Sequence, residues 1–185
     1  GLHAASLLVD CVQLVPTTDR EAVGEMLKGL DGNIDVIVPR GGKTLVARVQ
    51  DEARVPVFAH LEGLVHVYID KSAYLEKAVA VTLNARMRRT GVCGAAETLL
   101  VHQDVAAEFL PRITSALQMQ GVVVHGDEAF GALHGVRPAT EDDWARESLS
   151  LDMAALVVAD VDAAIAHIRR WSTGHTEGIL TRALD

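Results

Sequence analysis

Short apolar runs alternate with helix-patterned segments along this chain, and that alternation limits the folds it can adopt. Four runs are apolar almost throughout: Leu64–Ile69, Thr98–Val101, Val122–Val124 and Ala155–Val158. Strands of this kind are typical of a parallel sheet covered on both faces, because each crossover connection lays a helix on the sheet. The pattern therefore predicts an α/β fold of three layers, with crossover helices on a sheet.

Three segments repeat apolar residues at helical spacing and are predicted to be crossover helices: 73–87, 105–117 and 161–171. In the first of them, Leu75, Val79 and Leu83 mark one face of the helix. A last strand is predicted at Gly178–Thr181. The polar stretch 125–147 has neither pattern.

The first part of the chain follows the same alternation. Strands are predicted at three apolar runs: Val12–Val15, Ile34–Val38 and Val55–Phe58. Thr18 and Glu21 have the spacing of a capping box, so a helix is expected to begin there and to stop at Gly29. A second helix is expected after the turn Pro39–Gly42.

Charge and cysteine content exclude several classes of function. The chain has 185 residues and a formal net charge of −8, whereas binding to a phosphate backbone needs a basic surface. No apolar run reaches the ~18 residues of a membrane span, so neither a nucleic acid nor a membrane is expected as a partner. Two cysteines, Cys11 and Cys93, are too few for a disulfide scaffold and indicate a reducing, cytoplasmic setting.

Cys93 is the candidate nucleophile. It follows a predicted helix and precedes a predicted strand, and small residues surround it, which leaves the thiol open to a substrate. Arg88 and Arg89 close by would favour the thiolate, which is the nucleophilic form. The alternative is a structural cysteine packed as a small hydrophobic residue. Cys11 has no basic neighbour, and for it the packed role is favoured.

The turn Pro39–Gly42 is a second candidate site. Exposed N–H groups at the start of a helix, next to Arg40 and Lys43, could hold an anion. A glycine pair at such a turn is also common for backbone geometry alone, and the spacing differs from that of a P-loop. The eight histidines lack metal-binding spacing, so no metal site is expected. His66, in a predicted strand, is expected to be a hydrogen-bonded, half-buried imidazole.

Several motifs together resemble those of one enzyme family, the γ-glutamyl phosphate reductases of the aldehyde dehydrogenase superfamily. The motifs that carry the resemblance are Ile37-Val-Pro-Arg-Gly-Gly-Lys43, Asn84-Ala-Arg86, Gly91-Val-Cys-Gly-Ala-Ala-Glu-Thr-Leu-Leu100 and Gly174-His-Thr-Glu177. They occur in collinear order and span most of the chain. The resemblance implies the fold of an aldehyde dehydrogenase catalytic domain.

The resemblance also implies an activity, the NADPH-dependent reduction of L-γ-glutamyl 5-phosphate to L-glutamate 5-semialdehyde and phosphate in proline biosynthesis. It implies that Cys93 displaces the phosphate and forms a thioester. By position, the superfamily's strand–helix turn near the cofactor NADP corresponds to four residues: Pro39, Arg40, Gly41 and Gly42. Arg88 and Arg89 are physical candidates for attracting the acyl phosphate, independent of the resemblance.

The family's chains are considerably longer than this one. Residues 1–58 are therefore expected to be the C-terminal part of a nucleotide-binding domain, and residues 59–185 the catalytic domain, truncated at its C-terminal end. We expect the full-length parent to be a homo-oligomer and the isolated fragment to be inactive. Two other functions remain open: a non-enzymatic α/β piece that assembles with something else, and a thiol acyltransferase or hydrolase that uses Cys93 without a nucleotide.

Overall fold

The structure, a computed structural model, describes residues 2–59 and 62–183, apart from the side chains of Val9 and Lys43. It divides into two compact units, Gly1–Leu61 and Glu62–Asp185. The first unit contains two α-helices, α1 (Glu21–Leu27) and α2 (Lys43–Glu52). Three short 3₁₀ helices accompany them: His3–Ala5, Val9–Cys11 and Leu30–Gly32.

The three strands predicted for the first unit do not form a sheet. Residues 12–15 make no β-pairing, and Val12 and Leu14 are 72% and 91% exposed. The other two predicted strands reduce to one parallel bridge between Ile37 and Val57. Short strands are stable only when several share an apolar face, and the described part of this unit provides no such face. The prediction of three strands here is wrong.

The helix predicted after Thr18 is present, but the capping box is not. α1 begins at Glu21, whose N–H donates to Asp19 Oδ1 at 2.9 Å. The N–H of Asp19 in turn donates to Thr17 Oγ1 at 3.1 Å. An Asx turn therefore takes the place of the predicted cap. The helix stops where predicted, because Gly29 has a φ of +96°, which favours glycine.

The second unit is built on a parallel sheet of six strands. They are β1 (Val65–Ile69), β2 (Ala96–His102), β3 (Val123–Gly126), β4 (Arg137–Pro138), β5 (Asp152–Val158) and β6 (Glu177–Leu180). Their order across the sheet is β4-β3-β5-β2-β1-β6, and all pairs are parallel. β1, β2 and β5 are buried along most of their length, as the continuous apolar runs predict.

Helices cover both faces of this sheet. The helices of the second unit are α3 (Leu75–Met87), α4 (Gln103–Met119), α5 (Glu128–Gly131), α6 (Glu141–Ala145) and α7 (Val161–Trp171). Val67 and Ile69 of β1 belong to the apolar cluster that α3 and α4 share. Tyr68, between them, packs with Ala164 of α7 on the opposite face. The three-layer α/β fold predicted from the sequence is confirmed.

The larger core lies under α4. Phe109, Ile113 and Leu117 repeat at four-residue spacing along α4, and each is completely buried. Burial of one such side chain contributes roughly 1.5–3 kcal/mol. The core therefore holds α4 firmly against the sheet and fixes the strands beneath it.

The polar stretch from 125 to 147 is more ordered than the sequence indicates. It contains α5, β4 and α6. α6 begins with a capping box in which Thr140 exchanges hydrogen bonds with Asp143. The elements are two to five residues long, too short to show a hydrophobic period.

Candidate active site

Cys93 lies in the loop that joins α3 to β2, at the amino end of β2. The sequence predicts this position, between the helix that ends at Met87 and the strand that begins at Ala96. Its thiol is free and half-buried. Two turn bonds shape the loop, from the N–H of Val92 to the Arg89 carbonyl at 3.4 Å and from the N–H of Ala95 to the Val92 carbonyl at 2.9 Å.

The backbone of Cys93 packs against Gly63, just before β1. A Cβ added at Gly63 would stand 2.0 Å from the carbonyl oxygen of Cys93, a distance that no real Cβ tolerates. Beside Gly91 and Gly94 the space is open, since a Cβ there would meet no atom within 4 Å. The loop is therefore tightly held on one side and accessible on the other.

A cleft of about 520 Å³ opens beside this loop. Exposed Arg88 and Arg89 line it, together with Val92 and Gly94, the two neighbours of Cys93 in the chain. Two guanidinium groups in one cleft attract anions and can bind a phosphate in a bidentate manner. The structure thus brings both predicted arginines to a cationic cleft bordered by the neighbours of Cys93.

Arg86 and Glu97 form a buried ion pair that brackets the loop. Arg86, in the last turn of α3, is 0% exposed, and Glu97, in β2, is 4% exposed. Arg86 Nη1 donates to Glu97 Oε1 at 2.7 Å and to the Ala96 carbonyl at 2.9 Å. The sequence prediction missed this pair. Its only signal was that both residues stand inside the motifs that carry the family resemblance.

The segment between α6 and β5 completes this network. Arg86 Nη2 donates to Ser148 Oγ at 2.6 Å and to the carbonyl oxygen of Ser150. The N–H and hydroxyl of Ser148 donate to Glu97 Oε2 at 3.2 Å and 2.7 Å. Both carboxylate oxygens of Glu97 therefore accept hydrogen bonds inside the protein.

The loop between α7 and β6 is fastened to the amino end of β1. Glu177 Oε2 accepts from the N–H of His66 at 2.8 Å and lies 3.0 Å from its Nδ1, while the Ser172 hydroxyl donates to Oε1. Burial favours the neutral acid, but the hydrogen bonds from His66 and Ser172 outweigh it, and the pKa of Glu177 lies below its ordinary value. Thr173 Oγ1 accepts from the N–H of Leu64 at 3.2 Å.

His66 of β1 and His167 of α7 pack together. The predicted hydrogen bond of His66 is present, but the residue is 1% exposed rather than half-buried. Its ring centroid lies 5.5 Å from that of His167, which contacts Trp144 at 5.3 Å. Burial lowers the pKa of His167 to about 4, and electrostatic interactions with His66 and Arg170 add to the effect. His167 is thus uncharged at neutral pH and contributes packing.

Pro39, Arg40, Gly41 and Gly42 form the turn before α2, where the sequence places it. Gly42 is the N-cap residue, and no described side chain caps the helix. A Cβ at Gly42 would meet no atom within 4 Å, so the backbone there is open to a ligand. An uncapped helix start next to exposed Arg40 suits an anion such as a pyrophosphate. The turn belongs to the first unit and Cys93 to the second.

The described residues include no group of three or more His, Cys, Asp or Glu side chains placed to hold a metal ion. None of their helices combines the length and the apolar character needed to cross a membrane. Cys11 is exposed, so the packed role predicted for it is wrong, because residues around it form no core that could bury the thiol.

Comparison with known proteins identifies the family. Residues 2–135 match the aldehyde dehydrogenase family, and the chain belongs to that family. The γ-glutamyl phosphate reductase of Parvibaculum lavamentivorans is 59% identical over 182 residues, which are 98% of this chain and 43% of that protein. The crystal structure of γ-glutamyl phosphate reductase from Thermotoga maritima is 46% identical, with a TM-score of 0.88 over 94% of this chain and 42% of that one. The resemblance inferred from the motifs is confirmed.

A more distant structure agrees in fold alone. The NADP-dependent glyceraldehyde-3-phosphate dehydrogenase of Bacillus halodurans, complexed with NADP, is 17% identical, with a TM-score of 0.68 over 90% of this chain and 44% of that one. The chain thus spans less than half of the length of the reductases and of this dehydrogenase.

Proposed function

We propose that this chain is the nucleophile-bearing part of an enzyme that reduces γ-glutamyl phosphate to glutamate 5-semialdehyde in proline biosynthesis, with NADPH as reductant. The observation that carries the proposal is the position of Cys93, half-buried on an open loop beside a cleft with two arginines. The names of the similar reductases support the same substrate. In the complete enzyme, residues 1–58 belong to the nucleotide-binding domain and residues 59–185 to the catalytic domain.

Cys93 performs acyl transfer. Its thiolate attacks the carbonyl carbon of the acyl phosphate, the bond from that carbon to the phosphate oxygen breaks, and phosphate leaves with the electron pair. Backbone N–H groups of the loop stabilise the negative charge that develops on the carbonyl oxygen. NADPH, when bound, supplies the hydride that reduces the resulting thioester. The carbon–sulfur bond then breaks, which releases the aldehyde and restores the thiolate of Cys93.

Arg88 and Arg89 bind the phosphate group before it leaves. Replacing either by alanine is expected to raise the KM for the acyl phosphate more than it lowers kcat, because the lost contact serves the bound substrate. Arg112 offers a matched control, since it is an exposed arginine on α4 that lines a different cleft with Lys71. Arg112→Ala is expected to leave KM unchanged.

The turn Pro39–Gly42 holds the pyrophosphate of NADP. Its support is the uncapped start of α2 and the open space around Gly42. Backbone N–H groups and the positive end of the helix dipole bind phosphate groups in this way. Gly42→Val would place a branched side chain there and is expected to weaken NADPH binding without changing the alkylation rate of Cys93.

The decisive test is the reverse reaction, assayed with glutamate semialdehyde, phosphate and NADP. The protein is the full product of the open reading frame that encodes these residues. Cys93→Ala and Cys93→Ser are expected to lower turnover at least about 10³-fold while thermal unfolding stays close to that of the parent. Cys11→Ala, which removes the other thiol, is the matched control and should keep full turnover. Turnover that survives Cys93→Ala would refute the proposal.

The 185-residue chain on its own is expected to bind NADPH poorly and to turn over negligibly. It corresponds to 43% of the length of a similar reductase, so most of the residues that surround a cofactor lie elsewhere. Hydride transfer requires placement to within about 1 Å, and a displacement of that size can cost ~100-fold in rate. A fluorescence titration should find no saturation at micromolar NADPH, while Cys93 remains alkylatable. The complete enzyme is proposed to be a homo-oligomer, which light scattering would test.

A further inference from the structure

Burying the Arg86–Glu97 pair costs hydration free energy, so the pair is better explained by a role in the loop that it brackets. Both side chains are at least 96% buried, and each ion loses most of its hydration on burial. A buried ion pair is therefore weak evidence of stability and better evidence of a fixed local geometry. Here the geometry it fixes is the distance between the end of α3 and the start of β2.

Those two points are the entry and the exit of the Cys93 loop. Arg86 lies in the last turn of α3, and Glu97 directly follows the first residue of β2. Between them the loop has few bonds of its own, two turn bonds of 3.4 Å and 2.9 Å. Arg86 Nη1 also donates to the carbonyl of Ala96, which fixes the exit of the loop directly. The ion pair therefore joins the two ends of the Cys93 loop.

Both carboxylate oxygens of Glu97 are held by hydrogen bonds inside the protein. Its Oε1 accepts from Arg86, and its Oε2 accepts twice from Ser148. Both terminal nitrogens of the Arg86 guanidinium donate hydrogen bonds as well. These groups touch each other and the backbone around the loop rather than a substrate.

We propose that Arg86 and Glu97 are positioning residues that hold Cys93 at its place of attack. The inference rests on the proposed role of Cys93 as nucleophile. A shift of the thiol by about 1 Å is enough to lower acyl transfer ~100-fold, so loosening the pair reduces kcat before it unfolds the domain. Ser148 belongs to the same device, because it joins both partners of the ion pair.

The test compares three substitutions in the full product of the open reading frame. Arg86→Lys keeps the charge but loses the planar fork, and Glu97→Gln keeps the shape but loses the charge. Ser148→Ala keeps both charges and removes only the bridging hydroxyl, so it is the mildest of the three substitutions. Phe109→Leu is the control, because Phe109 is completely buried under α4 and has no part in the loop.

Arg86→Lys and Glu97→Gln are expected to lower kcat at least about 10-fold after correction for the folded fraction, with KM changed less than about threefold. Ser148→Ala should act in the same direction by a smaller factor. In the 185-residue chain, the rate at which iodoacetamide alkylates Cys93 should change with each of these variants. Phe109→Leu is expected to lower the melting temperature while its kcat and its alkylation rate stay within about twofold of the parent.

If all three variants had the parent's kcat and the parent's alkylation rate, at equal folded fraction, the proposal would be overturned. The pair would then be a purely structural contact. The alkylation rate needs no turnover, so it tests the position of Cys93 by itself. If the Cys93→Ala enzyme kept its turnover, the assignment of Cys93 as the nucleophile would be refuted. Altered alkylation in Arg86→Lys would still support control of the thiol's position by the ion pair.

Discussion

The carbonyl oxygen of Cys93 lies so close to Gly63 that a Cβ on residue 63 would stand 2.0 Å from it, 2.7 Å from the carbonyl carbon and 2.8 Å from the Cα of Cys93. The contact is between two backbones, neither of which can rotate away as a side chain would. Gly63 directly precedes Leu64, whose N–H is held by Thr173. One side of the Cys93 loop therefore rests on a fixed segment of the chain.

Gly63→Ala is expected to push the Cys93 loop aside and to lower turnover of the complete enzyme by about 100-fold, because the clash can be relieved only by moving backbone. The rate of Cys93 alkylation in the 185-residue chain should change with it. Gly131→Ala serves as control, since a Cβ there meets no atom within 4 Å. A fully active Gly63→Ala enzyme would mean that the loop tolerates displacement.

Sequence patterns predicted the second unit well and the first poorly, for one physical reason. β1 and β2 are buried on both faces, so the runs around Val67 and Leu99 are apolar almost throughout. The run Val12–Val15 is equally apolar, but among the described residues it has no neighbouring strand. An apolar run predicts a strand only when a sheet is there to receive it.

The candidate site divides in the same way. Cys93, Arg88 and Arg89 could be predicted because their chemistry and their neighbours are readable along the chain. The Arg86–Glu97 pair and the contact of Gly63 could not be, because each joins residues that meet only after the chain folds. No sequence pattern distinguishes a buried arginine from an exposed one. A close contact between two backbones is marked in the sequence only by a glycine, which is not specific.

His167→Phe is expected to make the 185-residue chain less sensitive to mild acid. The ordinary pKa of a histidine is about 6.5, which is the value for the unfolded chain, whereas burial lowers the pKa of His167 to about 4 in the folded protein. Between these two pH values the histidine is protonated in the unfolded chain and neutral in the folded chain. The free energy of unfolding therefore falls as pH falls. Phenylalanine keeps the ring contact with Trp144 and does not titrate.

The measurement is the midpoint of urea unfolding between pH 7 and pH 4.5. The drop in midpoint should be smaller for His167→Phe than for the parent chain. Trp171→Phe changes an aromatic neighbour of His167 without removing a titratable group, and it should keep the parental slope. Identical slopes for the His167→Phe variant and the parent would contradict the assignment.

Glu177→Gln is expected to loosen β6 at neutral pH. Hydrogen bonds to the charged carboxylate, from His66 and from Ser172, contribute about 1.5–3 kcal/mol each when buried, and the 29% exposure of the Glu177 side chain places the effect at the lower end. Because the pKa of Glu177 is lowered in the folded state, this stability is present above the ordinary pKa of the acid. It is lost as pH falls through the folded value.

Hydrogen exchange of residues 177–180 is the direct measurement, since among the described strands β6 pairs only with β1. Exchange in Glu177→Gln should exceed that of the parent at pH 7, while exchange in β2 stays unchanged. Ser172→Ala removes one of the same bonds and should give a smaller increase. Parental exchange rates in both variants would show that β1 holds β6 through backbone bonds alone.

The last prediction concerns His125, whose ring lies between two carboxylates. Nε2 is 2.9 Å from Asp152 Oδ1 and Nδ1 is 3.3 Å from Asp143 Oδ1. The Ser150 hydroxyl and His125 lower the pKa of Asp152. Burial opposes ionisation of Asp143, but hydrogen bonds from Thr140 and the electrostatic interaction with His125 outweigh it and lower the pKa of Asp143. His125 thus ties α6 to β3 and β5.

His125→Leu would leave the two carboxylates facing each other without the imidazole that lies between them. The segment 137–146 is therefore expected to exchange its amide hydrogens faster at pH 7, and the chain to lose about 1–3 kcal/mol of unfolding free energy. Both carboxylates have lowered pKa values, so the stability they contribute through His125 disappears as pH falls and they become protonated. The loss of unfolding free energy caused by His125→Leu should shrink accordingly toward pH 3.

Adding Asp143→Asn removes one of the opposed charges, while its amide oxygen can still accept from Thr140, so the double variant should recover part of the loss at pH 7. A double variant no more stable than His125→Leu would indicate that lost packing of the imidazole, rather than charge, causes the destabilisation.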